Sequence, residues 1–242
     1  MEKLTPPLTT PGRQRGQSAV EFLIIFPGLI FLVFGIIQWA LIYQARSTLN
    51  HAAFLAARAG ALNHGDRSAM TSGLAAGLTP LFASAASETG YAEARARAAA
   101  DLALGTATLE VLNPTRQAMQ DFGIARLDGG PQLEIPNDTL TYRNTRPGGS
   151  SKISVQDANI LHLRVTYCYR LIVPLINRII YAAANAGTNG AALQTTGMQQ
   201  PFGNIDATPP TSSCALNDDY PRISIRTEAV VRMQSSFWES NF

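Results

Sequence analysis

Gly16 and Glu21 are two residues whose types and spacing indicate chemistry at the edge of a membrane. Gly16 is a small residue between a polar, basic leader and a long apolar run, where a processing peptidase could cut. A cut after Gly16 would make Gln17 a free α-amino terminus, about one helical turn from Glu21. That ammonium group, or one from a neighbouring copy, could pair with the carboxylate, because an unpaired charge in lipid costs about 2.5–3.5 kcal/mol.

The apolar run from Phe22 to Ile42 contains no charged residue and one strongly polar side chain, Gln38. A helix needs about 20 apolar residues to cross a bilayer core, and Trp39 and Tyr43 suit the aromatic belt at the interface. The run is apolar on all sides, unlike a soluble core helix, and it is longer than the apolar part of a secretory signal. The sequence therefore predicts one membrane span at about residues 22–42.

The flanking charges predict the orientation of this span. Lys3, Arg13 and Arg15 precede the run, and Arg46 and Arg58 follow it. By the positive-inside rule, this small excess favours a cytoplasmic N-terminus and an exported C-terminal part. We therefore expect three segments along the chain, which are a leader (1–16), a long helix (17–62) and an exported domain (63–242).

The helical pattern continues beyond the span to Leu62, and Asn63, His64 and Gly65 are expected to end it. Pro27 lies inside the pattern and predicts a kink or local unwinding, since proline removes one helical hydrogen bond. In the second half, one face carries only Leu and small residues, which predicts close helix packing. The residues of that face are Leu49, Ala53, Ala56 and Gly60.

The exported part shows helical and alternating patterns in turn, which predicts an α+β fold with helices packed on a small antiparallel sheet. Thr79 and Pro80 are expected to open a helix that ends at Gly105, with Gly90 as an alternative point of interruption. Another short helix is expected to follow Asp66 or Ser68, and a long loop is expected at 187–221. The expected strands are 106–113, 132–135, 139–143, about 160–171 and 222–233, with helices at 114–122 and 174–186.

The two cysteines, Cys168 and Cys214, lie on either side of most of the expected loop. Two cysteines in an exported domain are a natural count for one disulfide, which would tie the loop to the sheet. The alternative is a pair of unrelated buried thiols.

Other chemistry is not indicated by the sequence. The three histidines, His51, His64 and His162, are far apart in unlike elements, so we expect no metal site and no catalytic cluster among them. Nucleophile motifs and glycine-rich phosphate loops are lacking, so no enzyme activity and no cofactor is expected. Residues 17–242 carry equal numbers of basic and acidic residues, which argues against nucleic acid as a partner.

The charges expected on the sheet allow two interpretations. Five arginines are expected on the polar face of the sheet, and they could form a phosphate-binding stripe. Glu228 is expected on the same face, which favours a mixed solvated surface instead. The arginines are Arg164, Arg170, Arg222, Arg226 and Arg232.

The N-terminal stretch resembles a known family. Gly16, the small residues after it, Glu21 and Phe22 look like the cleavage motif of type IV prepilins, which has Gly before the cut, Glu at mature position five and an aromatic residue next. Residues 15–61 resemble the TadE-like family more closely, the minor pseudopilins of the tight-adherence (Tad/Flp) pilus. The matching features are Val20-Glu21-Phe22, Pro27, Gly35-Ile36-Ile37, Ala52-Ala53 and Ala57-Arg58-Ala59-Gly60.

This resemblance implies cleavage between Gly16 and Gln17 by a prepilin peptidase, and a role for Glu21 in positioning the subunit during pilus assembly. It implies as partners the other minor pseudopilin, the major pilin and the inner-membrane assembly platform, beside the lipid bilayer. The expected place is the bacterial inner membrane, with the exported domain in the periplasm or in the pilus. The alternative is an uncleaved single-pass protein whose exported domain binds a ligand, in which Gly16 and Glu21 coincide by chance.

Overall fold

The computed structural model describes residues 17–186, residue 214 and residues 221–242. The predicted leader and most of the expected loop at 187–221 lie outside these residues. Helix α1 runs from Gln17 to Leu62, as the sequence predicted, and a 46-residue helix is about 69 Å long. The helix is continuous across Pro27. Local unwinding at Pro27 is therefore not seen, and the kink stays a prediction.

The second half of α1 is the spine of the α+β domain that follows it. Its small-residue face is buried as predicted, and the fully buried residues include Leu49, Ala53 and Ala56. Helix α2 (Arg67–Leu78) packs directly on this face. A Cβ added at Gly77 would stand 2.3 Å from the Cα of Ala52, so the two helix backbones approach at their small residues. The turn at residues 63–65 ends α1, with Gly65 at a φ of +78°.

The larger sheet has three antiparallel strands, β1 (Ala107–Asn113), β4 (Ile160–Arg170) and β5 (Arg222–Arg232). Their order is β1-β4-β5, so the two strands predicted most strongly are neighbours. The alternation is as expected, because Leu161, Leu163 and Val165 are fully buried on the face that meets α1. A hydrogen bond of 2.5 Å from Thr227 Oγ1 to Asn50 Oδ1 joins β5 to α1.

Shorter elements complete the α+β fold. Helix α3 (Glu88–Ala103) precedes β1, whereas α4 (Arg116–Phe122), α5 (Val155–Ala158) and α6 (Ile176–Ala186) lie in the connections of the larger sheet. A smaller antiparallel sheet consists of β2 (Ile124–Ala125), β3 (Leu133–Ile135) and β6 (Phe237–Trp238), in the order β2-β3-β6. Two 3₁₀ turns, Thr79–Leu81 and Glu239–Asn241, are also present.

Two local predictions were wrong. Thr79 does not open the predicted long helix, because it caps the end of α2 and begins only the short 3₁₀ turn, with its hydroxyl donating to the carbonyl of Ala75 at 3.0 Å. The next helix begins later, where Ser87 Oγ accepts from the N–H of Gly90 and caps α3. Residues 139–143 form a turn rather than a strand, since Arg143 donates back to the carbonyl and the carboxylate of Asp138.

The predicted disulfide is present. Cys168 of β4 is bonded to Cys214, with the two Cα atoms 5.4 Å apart. Because Cys168 points away from the α1 side of the sheet, the bond fixes residue 214 at the outer face. The inner neighbour, Tyr167, donates from its hydroxyl to Asp101 Oδ2 at 2.8 Å and joins the end of α3 to the sheet. Burial, and then the Asp101 carboxylate, raise the pKa of Tyr167.

Candidate functional site

The N-terminal half of α1 is the most unusual surface of the described chain. Between residues 19 and 37, each side chain is exposed or half-buried, and most of them are large and apolar. The most apolar stretch of the helix has none of its residues buried against the rest of the described protein. A surface of this kind is stable in lipid or against other apolar helices, but not in water. It is the one candidate membrane span among the described residues.

Glu21 lies in this exposed half, about one turn after the helix begins. Phe22, which follows it, stacks its ring on that of Phe26 with the centroids 5.0 Å apart. Gly16 lies outside the described residues, as does the side chain of Gln17. The structure therefore gives a helical setting for Glu21 and Phe22, whereas cleavage and the pairing of Glu21 with an ammonium group stay predictions.

The exposed half also carries two glycines, at positions 28 and 35. A Cβ added at Gly28 or Gly35 would have no neighbouring atom within 4 Å in the described part of the chain. These positions are open places on the helix where another helix could approach closely. They contrast with Gly73 and Gly77 of α2, which are already filled by contacts with α1.

Gln38 marks the point at which α1 changes from an exposed helix to a docked one. Its side chain is fully buried, and its Oε1 accepts a hydrogen bond from the backbone N–H of Val173 at 2.9 Å. Its Nε2 has no hydrogen-bond partner in the residues that the structure describes. The sequence singled out Gln38 as the polar residue of the run, but its contact with the segment after β4 was missed. The return of residues 171–175 to α1 has no signal in the local pattern.

The polar face of the larger sheet is a mixed charged surface, as the sequence favoured. Glu228 accepts from Arg164 Nε at 2.8 Å and lies 2.9 Å from Nε2 of His162. Burial would raise the pKa of Glu228, but these two partners together lower it below its usual value. A carboxylate at the centre of the arginines makes this face a poor phosphate stripe.

The histidines stay apart in the structure. His51 is exposed on α1, and the ring of His64 stacks on Trp238 at 4.0 Å. His162 pairs with Glu228 on the sheet. No group of three or more His, Cys, Asp or Glu side chains that could hold a metal ion occurs within residues 17–186, 214 and 221–242. One open cleft of about 250 Å³ contains Arg143 and Arg146 beside Phe122, without a nucleophile or a base among its lining residues.

The fold and the site together define the class of this protein. It is an α+β protein carried on one long N-terminal helix, and the exposed apolar half of that helix is a candidate membrane span. The family model described as TadE-like protein matches residues 16–58. The resemblance seen in the sequence is thereby confirmed over these residues. The matched stretch includes Gly16, Glu21 and Pro27 and ends within the docked part of α1. No curated protein and no solved structure gives a significant match.

Proposed function

We propose that this protein is a minor pseudopilin of a Tad pilus. The observation that carries the proposal is the family match, which begins at Gly16 and continues through Glu21 and the apolar helix. Its first part lies on the half of α1 whose side chains are exposed or half-buried, and its last part lies on the half that packs against the rest of the domain. An apolar helix that is free on all sides can lie first in lipid and then among the helices of other subunits, because both surroundings are apolar.

In this proposal a prepilin peptidase cuts between Gly16 and Gln17 at the cytoplasmic face of the inner membrane. The new α-amino group lies about one helical turn from Glu21, or reaches the Glu21 of a neighbouring subunit. The attraction between the ammonium group and the carboxylate is stronger in the apolar core of a fibre than in water, where exposed ion pairs contribute about 0–1 kcal/mol. Glu21 therefore sets the register of the subunit, and Phe22 extends the apolar contact surface.

The proposed partners are the prepilin peptidase, the other minor pseudopilin, the major pilin and the inner-membrane assembly platform. The N-terminus would be cytoplasmic, and the exported domain, residues 63–242, would lie in the periplasm. A disulfide between Cys168 and Cys214 supports an oxidising compartment for this domain. The protein acts here as a substrate and a building block, and the proposal gives it no catalytic step.

Replacing Glu21 by Ala tests the proposal in cells that make the pilus. The variant should enter the membrane normally and lose pilus assembly, because the helix keeps its apolar surface and loses only the charged partner. Glu88→Ala is a matched control, since Glu88 is an exposed carboxylate at the start of α3. Normal piliation with Glu21→Ala would contradict the assigned role of Glu21.

A further inference from the structure

Helix α6 and the residues before it return to α1 at the level of the candidate membrane span. The contact is made by the hydrogen bond between Val173 N–H and Gln38 Oε1, and by packing of α6 on α1. Gln38 lies four residues before Ile42, where the apolar run ends. At 1.5 Å per residue, Val173 therefore lies about 6 Å inside the end of the apolar run.

The outward side of this segment is apolar. Ile172, Leu175 and Ile179 are 63%, 60% and 54% exposed, although they belong to the exported domain. Ile180 packs against the core, Asn177 is also half-buried, and Arg178 is exposed three positions after Leu175. The segment therefore exposes an apolar surface with an arginine at its edge, at the level where the candidate span ends, and helices that lie in the plane of the interface combine these features.

The neighbouring part of α1 has the same character. Trp39 and Tyr43 are 66% and 76% exposed, one turn apart, and aromatic side chains of this kind favour the headgroup level. Arg46, which is also exposed, lies about 12 Å beyond Gln38 along the helix, at the level of the lipid phosphate groups. The exposed apolar residues near Val173 thus lie at the same level along α1 as the exposed end of the span.

The backbone near Val173 is suited to a place with little water. The N–H of Val173 is taken by Gln38, and Pro174 has no N–H to satisfy. The N–H of Asn177 bonds the carbonyl of Val173 at 3.1 Å, and that of Ile176 bonds the carbonyl of Pro174 at 2.8 Å. Unpaired backbone groups are costly in lipid, and these bonds remove that cost for the N–H groups of Val173, Ile176 and Asn177.

We propose that residues 172–183 form a second membrane contact, with Ile172, Leu175 and Ile179 inserted among the lipids of the leaflet that faces the exported domain. The occupant of this apolar surface is phospholipid. An inserted depth of about 6 Å agrees with the ~5–10 Å that interfacial helices reach. The contact would hold the domain at a fixed tilt against the membrane. The inference needs the span but neither the cut after Gly16 nor pilus assembly, so it goes beyond the proposed function.

Photo-crosslinking in vesicles tests this contact on the full-length chain. The variant Ile179→p-benzoylphenylalanine is reconstituted in vesicles of phosphatidylethanolamine and phosphatidylglycerol, irradiated, and analysed by mass spectrometry. Leu32, which is exposed in the span, receives the same substitution as the positive control, and Leu127, which is 79% exposed in the exported domain, as the negative control. An intact Cys168–Cys214 bond on a non-reducing gel verifies that each variant has folded.

The proposal predicts phospholipid adducts at position 179 with a yield comparable to that at position 32, and only background at position 127. Adducts at position 32 without adducts at position 179 would overturn the second contact and leave the span intact. Adducts at position 179 that join two protein chains would overturn it in favour of a second copy as the occupant. Lack of lipid adducts at both positions 32 and 179 would overturn the span and the inference together.

Discussion

The side-chain oxygen Oε1 of Gln38 lies 2.9 Å from the backbone nitrogen of Val173 and accepts its hydrogen bond. One residue belongs to the apolar helix and the other follows the central strand of the larger sheet. The bond therefore couples α1 to the sheet at the point where the helix becomes buried. If the helix leaves the bilayer for a fibre, this coupling moves the domain with it.

Replacing Gln38 by Ala should lower the free energy of unfolding of the exported domain. The substitution leaves the buried N–H of Val173 without its acceptor, and an unpaired buried donor costs about 1–3 kcal/mol. Chemical denaturation of the full chain in detergent measures the change. Gln44→Ala is the control, because Gln44 is exposed on the same helix. Equal stability of the two variants would show that the hydrogen bond is not needed for docking.

Replacing Gly77 by Ala should destabilise the packing of α2 on α1. The added Cβ would stand 2.3 Å from the Cα of Ala52, and forcing such an atom into a packed core costs about 1–3 kcal/mol. Gly35→Ala is the matched control, since its Cβ has no neighbouring atom within 4 Å among the described residues. Thermal unfolding followed by circular dichroism should show a lower midpoint for Gly77→Ala alone. A Gly77→Ala midpoint at or above that of Gly35→Ala would contradict this close approach.

Loss of the disulfide should lower stability markedly. Cys168 and Cys214 are 46 positions apart, and closing a loop of that length in the unfolded chain is worth about 4 kcal/mol in the chain-entropy account. We expect this loss in denaturation of the double variant Cys168→Ser, Cys214→Ser. Treatment of the wild-type protein with a reductant should reproduce the loss, and the same treatment should leave the double variant unchanged. A reductant effect on the double variant would point to a different cause.

Asp121 should make stability depend on pH in the acid range. Its carboxylate accepts from the backbone N–H of Ser151 at 2.7 Å and of Ser150 at 3.1 Å, and these bonds lower its pKa from 3.8 to about 2. Because the pKa is lower in the folded state, the stabilisation is complete above pH 3.8 and is lost as the pH falls toward 2. It joins the end of α4 to the loop that precedes α5.

Thermal unfolding between pH 7 and pH 2 tests this dependence with the variant Asp121→Asn. The variant should melt at a lower temperature than the wild type at neutral pH, and the difference should shrink as the pH falls below about 4. Glu93→Gln is the control, since Glu93 forms an exposed ion pair with Arg97 and should change the midpoint little. A difference that stays constant down to pH 2 would show that the carboxylate charge is not responsible.

Local patterns were sufficient for much of the fold. The limits of α1 and the strands β4 and β5 follow from an apolar run, a small-residue face and a two-residue alternation, which are properties of neighbouring residues. The disulfide followed from two cysteines and an expected exported domain. The prediction at Thr79 was wrong because a Thr-Pro pair can open a helix or follow one. In the structure it follows α2, and the Thr79 hydroxyl bonds to the carbonyl of Ala75.

The contact between Gln38 and Val173 could not be predicted from local patterns. Gln38 and Val173 are 135 positions apart, and only the three-dimensional path of the chain after β4 brings them together. The exposure of Ile172, Leu175 and Ile179 also depends on that path. The same apolar residues would be buried if the chain placed this side of the helix against the core. Gly16 and Glu21, by contrast, were found from the sequence through their spacing and the boundary between polar and apolar residues.

The mature N-terminus is the measurement that tests the central claim most directly. The intact mass and the N-terminal peptide of the protein should be determined from membranes of cells with and without the prepilin peptidase. We expect a chain that begins at Gln17 when the peptidase is present and a full-length chain when it is absent. A chain that keeps residues 1–16 in both kinds of cell would contradict the pseudopilin account, and would leave an uncleaved membrane-anchored binding protein.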